Sequence, residues 1–203
     1  MQKIDFKKEL KHLYKPSTKN VEVVDVPEMN FLMIDGKGDP NISQEFKDAV
    51  EALYGLSYTL KFMIKKGELA IDYGVMPLEG LWWTDDMADF SVDDKSAWKW
   101  TLMMMQPEYV TAPLYDEACV QLKKKKDPVA LPELRFESFS EGKSAHIMHI
   151  GPFSEEGPTI KKVHDYIEAN GSKLSGRHHE IYLSDTRKAD PAKWKTVIRQ
   201  PFM

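Results

Sequence analysis

The order of hydrophobic patterns runs through this chain twice, and that repetition constrains the fold more than any single motif. The first half reads strand, glycine turn, helix, strand, strand, and the second half reads the same way. In the first half, Val21 to Ile34 is expected to be a strand pair or one bent strand, broken at Pro27 and Glu28. Gly36, Gly38 and Pro40 form the turn. Phe46, Val50, Leu53, Leu60 and Ile64 recur at helical steps between Ser43, a good N-cap, and Gly67, a good stop. A strand from Ala70 to Trp83, interrupted near Pro77, and a strand from Trp98 to Gln106 complete the unit, with an acidic loop from Asp85 to Lys95 between them. A helix over Glu108 to Lys126 and a proline-bearing linker follow. The second half offers a strand pair over Leu134 to Ile150, a helix over Thr159 to Asn170, and strands over His179 to Ser184 and Trp194 to Phe202.

Two landmarks align the halves. Ile34-Asp35-Gly36 matches His149-Ile150-Gly151, and the closing strand opens with Trp98-Lys99 in one half and Trp194-Lys195 in the other. The expected architecture is α+β: a tandem βαββ repeat with pseudo-two-fold symmetry, antiparallel sheets and helices on one side. We expect an N-terminal arm over residues 1–20 that packs on the body, then a single domain over 21–203 with halves 21–126 and 133–203. With 203 residues and 42% hydrophobic content, the chain can bury one substantial core or two small halves sharing an interface.

Several function classes find no support. The net charge of −4 gives none to nucleic-acid binding, and the arm is too short for a helix-turn-helix. Lys123 to Lys126 complement the dipole of the helix they end. Cys119 is the one cysteine, so no internal disulfide forms, which fits a reducing cytoplasm. Met1 to Leu10 carries no apolar leader pattern and no run is long enough to span a membrane, so a cytoplasmic location is expected. The six histidines lack metal-site spacing, and there is neither a phosphate loop nor a nucleophile elbow. No metal and no cofactor are expected.

The chemistry concentrates at His178-His179-Glu180-Ile181-Tyr182-Leu183-Ser184-Asp185. Alternation along a strand puts Glu180 and Tyr182 on one face, with His178 beside them if the strand starts early enough. Tyr73, Glu79, Leu81 and Trp83 share a parity, and the alignment of the halves sets Glu79 against Glu180. Neighbouring Trp82 and Trp83 face opposite ways, one under the helices and one toward the cleft. Trp98 and Trp100 share a face with Met104. A carboxylate among rings either rises in pKa and works as an acid or base, or stays ionised and attracts a cation.

That strand resembles the signature of GyrI-like domains, also called effector-binding domains. His149-Ile150-Gly151-Pro152-Phe153 resembles the family's first-strand-to-helix junction, and Met76 to Trp83 resembles a stand-alone branch of it. The resemblance implies two βαββ units forming a concave surface that binds hydrophobic, planar or cationic small molecules. It also implies similarity to cyclopropanoid cyclopropyl hydrolases, which open the strained ring of DNA-alkylating compounds inside an aromatic cage. On this reading Glu180 and Tyr182 are the catalytic candidates. The ligand-binding candidates are Tyr73, Glu79, Trp82, Trp83, Trp100, Met104, Phe153, His178 and Phe202. The expected partner is a small-molecule ligand, with no nucleic acid and no membrane. Binding without chemistry, or inhibition of a partner protein, is the alternative.

Overall fold

The computed structural model describes residues 2–85 and 95–203, so the acidic loop expected before Lys95 lies almost wholly outside the described residues. The elements in chain order are β1 (Gln2–Ile4), α1 (Phe6–Glu9), α2 (Lys11–Tyr14), β2 (Glu22–Val26), β3 (Met29–Lys37), α3 (Gln44–Lys66), β4 (Ile71–Tyr73), β5 (Leu78–Trp83) and β6 (Lys99–Gln106). Then follow α4 (Ala112–Lys125), β7 (Arg135–Phe139), β8 (Gly142–Ile150), α5 (Gly157–Ala169), β9 (His178–Tyr182) and β10 (Lys195–Pro201). Ser43 caps α3, its side chain accepting a hydrogen bond from the Phe46 amide, and Gly67 ends the helix. Pro113 falls in the first turn of α4, where its missing N–H costs nothing, and Thr111 caps that helix.

Eight strands form one sheet in the order β2-β8-β10-β9-β5-β6-β3-β7, and every pairing in it is antiparallel. The halves meet at β5 and β9. Val21 to Ile34 is neither a strand pair nor one bent strand, and Leu134 to Ile150 is not a strand pair: β2 pairs with β8 and β7 with β3. Each half lends its leading strand to the other half. On a flat sheet, β2 and β3 would lie six strand spacings apart, about 29 Å. Only Pro27 and Glu28 join them, a reach of about 11 Å over three Cα steps. Ser140 and Glu141 join β7 and β8 under the same constraint. The sheet therefore curls until its edges approach at one corner, where Val24 and Val26 of β2 and Phe139 of β7 join one apolar cluster.

The inner face of the curl holds one apolar cluster drawn from both halves, including Phe31, Met33, Leu81, Met103, Met105, Ile181 and Val197, and closed by Leu13 and Tyr14 of the arm. The outer face carries the helices over two clusters. One lies under α3 and α4 around Leu53, Trp100 and Leu102, and the other under α5 around Val163, Ile167 and Ile198. Gly36 sits inside β3, where a Cβ would meet the Trp100 ring at 2.1 Å. The turn counterpart of Gly151 is accordingly Gly38, two residues later than the sequence alignment had it. Both have positive φ, and their amides donate to the carbonyls of Trp98 and Trp194.

A buried ionic network ties the inner face together. Glu141, from the link between β7 and β8, accepts from Arg199 at 3.1 Å and contacts His179 Nδ1 at 2.9 Å. His179 Nε2 reaches Glu79 at 2.9 Å, and the Tyr14 hydroxyl donates to Glu79 at 2.8 Å. Arg199 also donates to the Leu13 carbonyl. Burial alone would push His179 down, but Glu141 and Glu79 lift it to about 9. Burial likewise opposes ionisation of Glu141, yet His179 and Arg199 bring it down to about 2. Because His179 titrates higher folded than unfolded, its contribution is complete below its ordinary value of 6.5 and is lost as pH rises toward 9. Glu141 titrates lower folded, so its contribution is complete above 4.5 and is lost as pH falls toward 2. Thermal melts between pH 3 and 10 should therefore show greatest stability between about pH 4.5 and 6.5, declining on both sides. A melting temperature that climbs steadily to pH 9 would contradict the network.

Candidate functional site

Strand alternation divides the central residues between two faces, and the β5–β9 register decides which ones meet. Leu78 pairs with Tyr182, Gly80 with Glu180, and Trp82 with His178. These residues face the helices. Glu79, Leu81, His179 and Ile181 face the inner network and core. The cross-strand ladder makes Gly80, not Glu79, the repeat counterpart of Glu180. Trp82 opposes Trp100 as Tyr182 opposes Thr196, and the Trp98 and Trp194 landmarks fix that offset. A slip of one residue in the alignment had placed Glu79 on the wrong side of the sheet.

The open space on the helix face is a cleft of about 1950 Å3 between α3 and α5. Its floor is β9 and β5, with Glu180, Tyr182, Leu78 and Trp82. One wall is α3, where Tyr54, Tyr58 and Phe62 stack at 6.5 and 6.4 Å between ring centroids. The other wall is the start of α5 with Phe153 and Glu156, backed by Trp194, whose ring centroid lies 4.9 Å from that of Phe153. Trp98 meets Trp82 edge-on at 5.4 Å, and the Lys95 ammonium lies 4.9 Å from the Trp98 ring.

Glu180 is held from two sides. Tyr182 donates to its Oε2 at 2.7 Å, and His178 Nε2 lies 3.0 Å from its Oε1. Trp82 donates through Nε1 to the Tyr182 hydroxyl at 3.0 Å. Burial favours the neutral form of Glu180, but the hydrogen bonds and charge around it prevail, those of His178 first, and hold it below the ordinary carboxylate range. Tyr182 is raised far above its ordinary value by burial and by the Glu180 charge, so it remains a hydroxyl that donates. Glu156 presents the opposite case. It precedes α5, is 4% exposed, and has an Oε1 without a hydrogen-bond partner among the described residues. Burial and the nearby Glu180 charge raise it to about 9.

Of the residues expected at the site, Glu180, Tyr182, Trp82 and Phe153 line the cleft. His178 lies beneath it, 3% exposed, as the support of Glu180. Six others are placed elsewhere. Glu79 belongs to the inner network, and Trp83 packs toward the inner cluster with the Arg177 guanidinium 3.6 Å from its ring. Tyr73, Trp100 and Met104 fill the core under α3, and Phe202 fills the core under α5. The helix periodicity of α3 was read only for its core stripe, although Tyr54, Tyr58 and Phe62 widen that stripe at four-residue steps. Glu156 was missed because an acid before Gly157-Pro158 reads as a complement to the helix dipole. Among the described residues no group of three or more His, Cys, Asp or Glu is placed to hold a metal, and no helix is long and apolar enough to cross a membrane.

The chain matches the GyrI-like small molecule binding domain over residues 19–202 and belongs to that family. It is similar to an uncharacterized conserved protein from Listeria innocua, with 43% identity and a TM-score of 0.91 over 98% of this chain and 100% of that one. It is also similar to a hydrolase encoded by lin2189 of Listeria innocua, with 44% identity and a TM-score of 0.89 over the whole of both chains. A further hydrolase from Listeria innocua is 42% identical, with a TM-score of 0.86 over 98% of this chain and 100% of that one. The EcmrR C-terminal domain, 13% identical with a TM-score of 0.57 over 91% of this chain and 97% of that one, shares the fold. None of the curated proteins compared with the chain matches it.

Gly80 leaves room for the Trp82 indole, since a Cβ there would lie 2.7 Å from Trp82 Nε1. Gly80→Ala should displace the indole, break its bond to Tyr182 and cost about 1–3 kcal/mol of stability in urea denaturation. Unchanged stability would show that the Trp82 position does not depend on that gap.

Proposed function

We propose that the cleft is a hydrolytic site for planar, conjugated small molecules that carry a strained electrophilic ring, cyclopropane-bearing xenobiotics foremost, and that the protein detoxifies them. The observation that carries this reading is Glu180 on the floor of a ring-lined cleft, held by Tyr182 and His178, whose hydrogen bonds and charge favour its ionised form. The 42% and 44% identical Listeria proteins described as hydrolases support it. The rings of Trp82, Phe153 and Trp194 suit a flat ligand, which stacking would hold in one plane. Glu180 would then take a proton from water as the water oxygen bonds to the ring carbon. Tyr182 and His178 keep the carboxylate aimed and ionised. Opening a cyclopropane conjugated to a carbonyl sends the electron pair of the broken carbon–carbon bond to the carbonyl oxygen.

A second reading, binding without turnover, rests on the same anion. A carboxylate among aromatic rings attracts planar cations, and a cleft of about 1950 Å3 exceeds the roughly 300–1,000 Å3 of an ordinary ligand pocket. Under it the protein sequesters a toxic molecule, or the cleft serves inhibition of a partner protein.

The test is incubation with a duocarmycin-type alkylator, followed by mass spectrometry of the small molecule. Hydrolysis predicts a gain of one water over many turnovers per protein. Glu180→Gln should slow that turnover by about a hundredfold or more while still binding the compound. Protection that saturates at one ligand per protein, with no product, would leave sequestration as the function.

A further inference from the structure

The cleft contains a second buried carboxyl that the hydrolytic reading does not use. Glu156 enters from the start of α5 and Glu180 from β9, and the two are nearly fully buried, at 4% and 8% exposed. The groups facing the pair are His178 and Tyr182 on β9, the Thr196 hydroxyl on β10, and Lys95 at the rim. Glu180 spends its oxygens on His178 and Tyr182. Glu156 Oε1 and Thr196 Oγ1 are buried with no hydrogen-bond partner among the described residues. Both carboxyls line one buried wall, and the Glu180 charge acts on Glu156 there, so a second charge would have to form against the first in a low dielectric.

We propose that Glu156 and Glu180 work as a pair that shares one proton and holds the reacting water, with Glu180 as its base and Glu156 as its neutral partner. The inference rests on the hydrolytic reading and adds a second catalytic residue to it. The division of labour follows from the surroundings. Glu180 has the donors that favour a charge, whereas Glu156 has burial and the neighbouring anion, which raise it to about 9. The neutral Glu156 carboxyl donates one hydrogen bond and accepts another, so it can orient a water that the Glu180 anion then deprotonates. As the oxygen–carbon bond forms, the ring carbon–carbon bond breaks and its electrons pass to the conjugated carbonyl oxygen. That oxygen takes a proton from solvent, and the pair returns its extra proton to solvent, so one proton again remains between the carboxyls.

Two measurements test this. The first is infrared spectroscopy of the wild type and of Glu156→Gln at pH 7, which needs no substrate. A protonated-carboxyl band present in the wild type and missing from the variant is expected; no such band in the wild type overturns the shared proton. The second is the pH profile of alkylator hydrolysis. Glu156→Gln, which is isosteric with the neutral acid and should melt like the wild type, should lose about a hundredfold in kcat with little change in KM. Glu156→Asp should recover part of that loss. Wild-type turnover should fall above about pH 9, as Glu156 ionises, and the residual turnover of Glu156→Gln should lack that fall. Wild-type-like kcat and the same alkaline fall in Glu156→Gln would remove Glu156 from the reaction. A band at pH 7 with no wild-type turnover would instead defeat the hydrolytic reading and its water-activating step, leaving only the shared proton.

Discussion

Glu141 is the residue on which the two edges of the sheet depend. It occupies the two-residue link between β7 and β8, and its carboxylate reaches into the curl to meet Arg199 on β10 and His179 on β9. A link so short brings edge strand β7 up against β8 beside the other edge, and a buried charge there is tolerable only because two cationic partners surround it. Removing one partner from such a group ordinarily costs about 3–5 kcal/mol, because a bare charge is left in the interior. The same network holds the arm, through Tyr14 on Glu79 and the Leu13 carbonyl on Arg199.

The central strands thus serve two tasks at once. Odd-numbered residues of β5 and β9 build the inner lock and even-numbered residues build the cleft floor, because side chains alternate. Rigidity on one face fixes the side chains on the other. Tyr182 and His178 can hold Glu180 only while β9 keeps its register against β5 and β10. Three buried glutamates then take three different states according to their neighbours. Glu141 is driven down by cations, Glu180 is held down by hydrogen bonds, and Glu156 is pushed up by burial and by Glu180.

Much of this was legible in the residues. The order of strands and helices, the cap at Ser43 and the face shared by Glu180 and Tyr182 follow from local pattern, and the structure has them where pattern puts them. What local pattern lacks is pairing. Pro27-Glu28 and Ser140-Glu141 look like hairpin turns, and nothing nearby reveals that the strand before each of them pairs with the other half. The choice between Trp82 and Trp83 turns on a parity that a break at Pro77 leaves open; Trp82 faces the cleft and Trp83 the inner face. The alignment of the halves offered Glu79 as the counterpart of Glu180, when the true counterpart is a glycine. Glu156 is separated from Glu180 by a helix, so only the tertiary fold brings the two carboxyls to one wall.

Under the proposed function, ligands enter between α3 and α5 and meet Glu180 on the floor. A crystal structure of the protein with a planar aromatic cation such as ethidium bound tests it most directly. The ligand is expected to stack among Trp82, Phe153 and Trp194, with its charged edge against the Glu180 carboxylate. A ligand lying only along the outer Tyr54–Tyr58–Phe62 ladder, with Glu180 untouched, would contradict it.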